Sequence, residues 1–245
     1  MNAIIKKLNE HRSIRKLTDA PVGDDLLHQL ITAGQAAASS SFLQGVTIIR
    51  VTDPEKRAAF KEITGGQAYV EAAPEFLVFC ADLSRPMRCC TDHGGTPSEG
   101  LTEHFIIATV DVALCAQNVA VAAESAGLGI CYIGAIRNDA ARSAALLDLP
   151  QQVYPVFGMC IGWPDQDPEV KPRLPVSVVL KENSYSIDGE AEAIAAYDEE
   201  MRDYYGTRSA NIKIQGWSEQ MAGLLGKESR LHMRPFLESK GFPKR

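Results

Sequence analysis

The chain has 245 residues, 45% of them hydrophobic and 23% charged, with a formal net charge of −6 and a sequence pI near 5.4. That length fits one large domain or one with an excursion, with two independent domains possible but not demanded, and the balance is ordinary for a globular protein with a full core. It argues against nucleic acid as the main ligand, because gripping a phosphate backbone needs a basic face that releases counterions.

The N-terminal run to about Glu10 reads as a helix, and residues 1–7 lack the apolar stretch that a signal peptide needs. Residues 11–22 (HRSIRKLTDAPV) extend and turn, ending at Pro21. Asp24 caps a second helix, in which Leu27, Leu30, Ile31 and Ala33 or Gly34 follow helical spacing. The small-residue stretch AAASSSFLQG leads into VTIIRVTD, a β-branched run typical of a strand. Pro54, just after Asp53, opens a helix that runs through Ile63 and ends at Gly65-Gly66. Residues 74–81 read as a buried strand. Residues 82–100, with Pro86, Gly94, Gly95, Pro97 and Gly100, read as a mobile loop.

Residues 101–126 hold no Gly or Pro and are apolar almost all round, which predicts a long helix central to one core or shared between subunits. No charge-free apolar run of about 18 residues occurs, so no membrane span is expected. LGICYIGAI and VYPVFGMCIGWP are strand candidates flanking a short helix at 139–147. KPRLP is extended, and residues 190–205 form an acidic helix. The tail from Tyr204 carries Arg208, Lys213, Lys227, Arg230, Arg234, Lys240, Lys244 and Arg245, basic against an acidic average. Strands alternating with helices give an α/β or α+β class, yet no strand precedes GxGxxG, so a nicotinamide Rossmann domain is not written here.

His11, Ser13 and Arg15 are alternate residues of an extended segment and can converge on one ligand, with Arg12 beside them. A cation next to a hydroxyl suits phosphate or the anionic edge of a reduced flavin; the plainer reading is a solvated basic turn. Lys171-Pro172-Arg173 repeats the logic, proline stiffening a pair of cations. Ser39, Ser40 and Ser41 could hold a ribityl chain or phosphate with Phe42 as an aromatic wall, or could simply end a helix before a core phenylalanine. Gln67, after two glycines, offers an amide matching a uracil-like edge, or is merely the residue after a helix cap. Tyr132-Ile133-Gly134-Ala135 fits a close backbone approach to a ligand or an ordinary strand-end turn.

Nothing supports a protein nucleophile or a metal. There is no GxSxG, the five histidines make no HxxxH or HExxH pair, and the six cysteines make no CxxC. Most of the cysteines read as small core residues of a protein in a reducing compartment, the cytoplasm by default. Asp111 on the long helix reads as a polar grip rather than an acid–base group.

Taken together, HRSIR, SSSFLQ, TGGQ, AAESAGLG, YIG-x-I-R-N, FG-x-C-x-GWP and KPRLP resemble the oxygen-insensitive NADPH nitroreductase and NADPH–flavin oxidoreductase family, from about residue 8 to the tail. The resemblance implies one α+β domain over residues 1–245, with 190–245 as a helical, basic excursion. It implies a mixed, mainly antiparallel sheet surrounded by helices, and a homodimer with the long helix at its interface. FMN would be held non-covalently by His11, Arg12, Ser13, Arg15, Ser39, Ser41, Gln67, Tyr132, Ile133, Gly134, Ala135, Lys171 and Arg173. Within that set, Arg15 would reach the N1–O2 edge and Gln67 the pyrimidine ring, Gly134 and Ala135 would present backbone to N5 and O4, and Lys171 and Arg173 would hold the phosphate with His11. NADPH would meet Arg208 and Lys213, and the acceptor would meet Ser41 and Phe42. The implied activity is two-electron reduction of nitroaromatics, quinones and free flavins by a ping-pong cycle through the flavin, with no catalytic side chain. The alternatives are a dedicated flavin or chromate reductase, or a non-catalytic flavin-binding protein.

Two positions depart from the family pattern. Ala135 stands where a second glycine is common; if that position needs positive φ, alanine costs about 1 kcal/mol. Lys213 stands where a second arginine is common, keeping the charge but losing the bidentate fork.

Overall fold

The β-branched and aromatic runs become four strands: β1 (Val46–Arg50), β2 (Glu75–Asp82), β3 (Gly129–Ile133) and β4 (Val153–Gly162). They form one sheet in the order β1-β2-β4-β3, and all three pairings are antiparallel. The mixed, mainly antiparallel sheet expected is therefore wholly antiparallel here, because no further strand among the described residues joins an edge to supply a parallel partner. The computed structural model describes residues 2–208 and 212–243. Lys244 and Arg245, counted above among the basic tail residues, lie outside them.

Every residue of β2 is buried. Pro155 sits inside β4, where a central strand normally excludes proline; the register slips between Phe79 and Cys80, and this bulge absorbs the missing N–H.

Around the sheet lie α1 (Ala3–Asn9), α2 (Asp24–Gln35), α3 (Pro54–Ile63), α4 (Ala68–Ala72), α5 (Ser84–Asp92), α6 (Thr102–Ser125) and α7 (Ala140–Leu146). Helix α3 starts as its sequence predicts, with Pro54 in the first turn and the Asp53 carboxylate accepting from the N–H groups of Glu55 and Lys56. Two expectations fail. Asp24 is the first residue of α2, not its cap; the cap is Gly23 at φ 84°, with no side-chain hydrogen bond, so Asp24 acts there as first-turn negative charge. Residues 82–100 are not all loop, because 84–92 form α5. Pro86 is its third residue, where a missing N–H breaks no intrahelical bond.

By length and hydropathy α6 would suffice to cross a membrane. Here it packs against α2 and all four strands, burying Ala108, Val112, Ala116, Val119, Ala120 and Ala123 together with Asp111.

Packing divides the chain into two units, Met1–Asp167 with Arg230–Arg245, and Pro168–Ser229. The second unit holds α8 (Val176–Val179), α9 (Glu190–Thr207) and α10 (Trp217–Leu225), with a small core of Tyr197, Met201 and Tyr205 lined by Leu174, Tyr204 and Trp217. The final helix, α11 (Met233–Ser239), belongs to the first unit, where Phe242 packs on Phe105 and Tyr154.

Candidate functional site

The segment carrying His11 to Arg15 is held like an extra strand. Ile14 donates its N–H to the Ile130 carbonyl of β3 at 2.9 Å, and Thr18 donates to the Trp163 carbonyl at 2.9 Å. On that side the Gln166 amide oxygen accepts from the N–H groups of Lys16 at 2.6 Å and Arg15 at 3.2 Å. Ile14 is buried, and the close approach depends on Gly129, where a Cβ would lie 2.7 Å from the Ile14 side chain. Burying Ile14 sets the alternation of the segment. Ser13 remains half-buried and Arg15 exposed on either side of it.

Each cation of the segment has a distinct setting. His11 Nδ1 lies 2.6 Å from a carboxylate oxygen of Glu124, near the end of α6. Arg12 pairs with Asp167 and donates to the Glu10 carbonyl at 3.1 Å, while its Nε is buried without a hydrogen-bond partner. Arg15 reaches Tyr69 of α4. Burial raises the Tyr69 hydroxyl above the usual tyrosine range, and the nearby Arg15 charge partly opposes this. Gln67 is the N-cap of the same helix, and its Oε1 is buried with no hydrogen-bond partner. The structure thus gathers Arg15, Gln67 and Tyr69 around one short helix, a neighbourhood that combines a cation with an unsatisfied acceptor.

The serine loop is organised from α6. Asp111, only 3% exposed, accepts from the Ser39 hydroxyl at 2.6 Å, the Gly45 N–H at 3.0 Å and the Ser40 N–H at 3.3 Å. The Ser39 hydroxyl in turn accepts from the Gln44 N–H at 2.7 Å. Ser39 is therefore committed to holding the loop, and Asp111 is the polar grip expected of it. Ser41, Phe42 and Gln44 sit at φ 50°, 56° and 53°, left-handed values that L-residues adopt at a cost and that cluster at functional loops. Phe42 is 79% exposed.

Tyr132 and Ile133 end β3, and Gly134 opens a 3-10 turn running to Asp139. The Tyr132 hydroxyl donates to Gln117 at 3.4 Å, and burial raises its pKa. Neither Gly134 nor Ala135 has positive φ, so the strain considered for alanine at 135 does not arise. A Cβ at Gly134 would meet the Arg137 guanidinium at 3.1 Å.

In the second unit the extended KPR segment lies on α9. The Tyr197 hydroxyl donates to the Pro172 carbonyl at 2.9 Å, and Arg173 donates to the Lys171 carbonyl at 2.7 Å. Lys171 and Arg208 both stand over the Tyr205 ring, and the Lys213 N–H donates to the Tyr205 carbonyl at 3.3 Å. Other tail cations have structural duties in the first unit: Arg230 bonds Asn138, Arg234 pairs with Glu238, and Lys240 donates to the Leu149 carbonyl.

Burial raises the thiol pKa of Cys80 and Cys160, and with Asp111 nearby pushes that of Cys115 up to about 11, the opposite of activation. Among the described residues no three His, Cys, Asp or Glu side chains could together hold a metal ion. Sequence reasoning did not single out Tyr69, Glu124 or Tyr205. Only the AAESAGLG motif touched one of them, Glu124.

Comparison with known proteins gives a consistent result. Residues 8–163 match the model of the nitroreductase family, and residues 171–245 match the C-terminal domain model of that family. The chain is 48% identical to the NADPH-flavin oxidoreductase of Vibrio harveyi and 43% identical to the oxygen-insensitive NADPH nitroreductase of Salmonella typhimurium, in both cases over 100% of each chain. It superposes on the V. harveyi NADPH:FMN oxidoreductase solved in complex with NAD+ with a TM-score of 0.91 and 47% identity, again covering 100% of both chains.

Proposed function

The chain belongs to the nitroreductase family, and from that premise we propose that it is an FMN-dependent NADPH oxidoreductase that reduces nitroaromatics, quinones and free flavins by two electrons. The observation that carries this reading is the buried, unpartnered Oε1 of Gln67, at the start of the short helix whose Tyr69 feels the Arg15 charge. An orphaned buried acceptor is costly unless a ligand donor meets it, and the imide N–H of a flavin is such a donor. Arg15 then supplies positive charge for the neighbouring N1–O2 edge, an electrostatic role rather than an acid–base one.

FMN, when bound, would supply the redox chemistry, a two-electron carrier between NADPH and an acceptor. The remaining roles belong to the chain. His11, Arg12 and Ser13 would contact the cofactor from the strand-like segment, with Glu124 orienting His11. Ser41 and Phe42 border the acceptor, and Ser39 holds their loop. Tyr132, Ile133, Gly134 and Ala135 would present backbone to the flavin. In the second unit Lys171 and Arg173 provide phosphate partners, and Arg208 and Lys213 provide charge for the dinucleotide.

A homodimer completes the proposal. Ile106, Val110 and Leu114 are 49%, 48% and 42% exposed at four-residue spacing along α6, an apolar stripe suited to a second copy of the chain. The cytoplasm fits six free thiols.

An acceptor panel tests the function. With NADPH and NADH run in parallel under anaerobic conditions, nitrofurazone, a quinone and free FMN should each be reduced, with NADPH the better donor. Flavin binding without NADPH turnover would replace this reading with a non-catalytic flavin carrier.

A further inference from the structure

Two cations assigned to different ligands share one aromatic ring. The Lys171 ammonium stands 5.2 Å from the centroid of Tyr205, and the Arg208 guanidinium carbon stands 4.5 Å from it. Tyr205 is 6% exposed, within the small core of the second unit. Its hydroxyl donates to Gln220 at 3.1 Å, and its carbonyl accepts the Lys213 N–H. One residue of α9 therefore touches the start of the KPR segment, the end of its own helix and the backbone of Lys213.

The face of an aromatic ring is negative, and a cation over a desolvated ring is held more firmly than over an exposed one. Burial tends to raise the Tyr205 hydroxyl, but the influence of Lys171, the bond to Gln220 and the charge of Arg208 outweigh it and leave its pKa below the usual tyrosine value. Both contacts therefore act on the ring and the hydroxyl of the same side chain. Two positive groups drawn to one site also repel each other, so a ring that satisfies both fixes their separation.

We propose that Tyr205 is a positioning residue that seats Lys171 for the flavin phosphate and Arg208 for the pyridine nucleotide, and so couples the two binding events. The inference rests on the functional reading above, which assigns those two cations to those two ligands. Because one ring touches both cations, removing it must lower both affinities. The competing role, that of a core tyrosine, predicts loss of stability without a paired change in the two affinities.

The test uses the full-length protein and Tyr205→Leu and Tyr205→Phe variants. Apoprotein is titrated with FMN by flavin fluorescence, and the NADPH KM is measured with FMN held saturating, so that cofactor loss does not distort it. Loss of a cation–π contact corresponds to roughly 3- to 20-fold in affinity. Tyr205→Leu should raise the FMN Kd and the NADPH KM each by about that factor while kcat at saturating NADPH stays within about twofold. Tyr205→Phe keeps the ring and should restore most of both.

Wild-type protein that neither binds FMN nor oxidises NADPH would sink the functional reading itself. Sound wild type with a Tyr205→Leu variant that moves one constant, or neither, would overturn only the linkage. Should Tyr205→Leu fail to fold, a Lys171→Ala, Arg208→Ala double-mutant cycle on the NADPH KM decides. Coupling of at least about twofold supports a shared ring, and strict additivity overturns it.

Discussion

Replacing Asp111 with alanine removes the acceptor on which the serine loop is hung. Three donors lose their partner at once: the Ser39 hydroxyl at 2.6 Å, the Gly45 N–H at 3.0 Å and the Ser40 N–H at 3.3 Å. A hydrogen bond to a charged group contributes about 1.5–3 kcal/mol, but these three share one carboxylate, and the substitution also removes the cost of burying it. The net loss expected is about 2–4 kcal/mol, well short of the simple sum. Ser41, Phe42 and Gln44 hold left-handed backbone, each at a cost of about 1–2 kcal/mol, and the loop is free to relax once Asp111 lets go. Phe42 moves with it. Asp111→Asn should recover only part, because its NH2 group faces protein donors where the second carboxylate oxygen had accepted. Urea unfolding of FMN-saturated protein measures the stability, and the KM for a nitroaromatic measures the loop. A loss below about 1 kcal/mol with an unchanged acceptor KM would refute both the grip and its link to the acceptor site.

Four further outcomes follow from the site. Gly129→Ala puts a Cβ 2.7 Å from Ile14, so the strand-like segment must shift; about 1–3 kcal/mol of stability and roughly tenfold in FMN affinity should be lost, read by thermal unfolding and flavin titration. Glu124→Gln leaves the His11 imidazole without its carboxylate and should weaken FMN binding by about tenfold, with little change in the NADPH KM at saturating FMN. Titration of the native protein with a disulfide reagent near neutral pH should find two fast thiols, the exposed Cys89 and Cys90. Cys80, Cys131 and Cys160 are buried with raised pKa values, and burial pushes Cys115 up to about 11, so these four should react only after unfolding. Lys213→Arg restores a planar fork and should lower the NADPH KM several-fold while leaving that for NADH unchanged in parallel steady-state assays.

How much of this was legible depended on how local each signal is. Helix α3 was readable to its ends because Asp53, Pro54 and Gly65 act within one turn of the backbone they cap. Helix α6 was readable because 24 residues without Gly or Pro leave no competing structure. Helix α5 is hidden in the sequence by the glycines and prolines of 82–100, although Pro86 falls where a helix tolerates it and the glycines lie beyond its end. The site was harder, since its pairings are long-range: Ser39 meets Asp111 from 72 positions away and His11 meets Glu124 from 113. Nothing near Ser39 announces that its hydroxyl is already engaged. Gln67 after two glycines leaves two readings open in the sequence, a flavin-matching amide or the residue after a helix cap, and only the fold shows its Oε1 buried without a partner.

Anaerobic titration of purified protein with NADPH, followed through the oxidised-flavin absorption band, tests the central claim most directly. The account predicts a yellow protein whose band bleaches with about one equivalent of NADPH per bound flavin and returns when a nitroaromatic or quinone is added. A colourless protein that cannot be loaded with FMN, or a bound flavin that NADPH leaves oxidised, would contradict it.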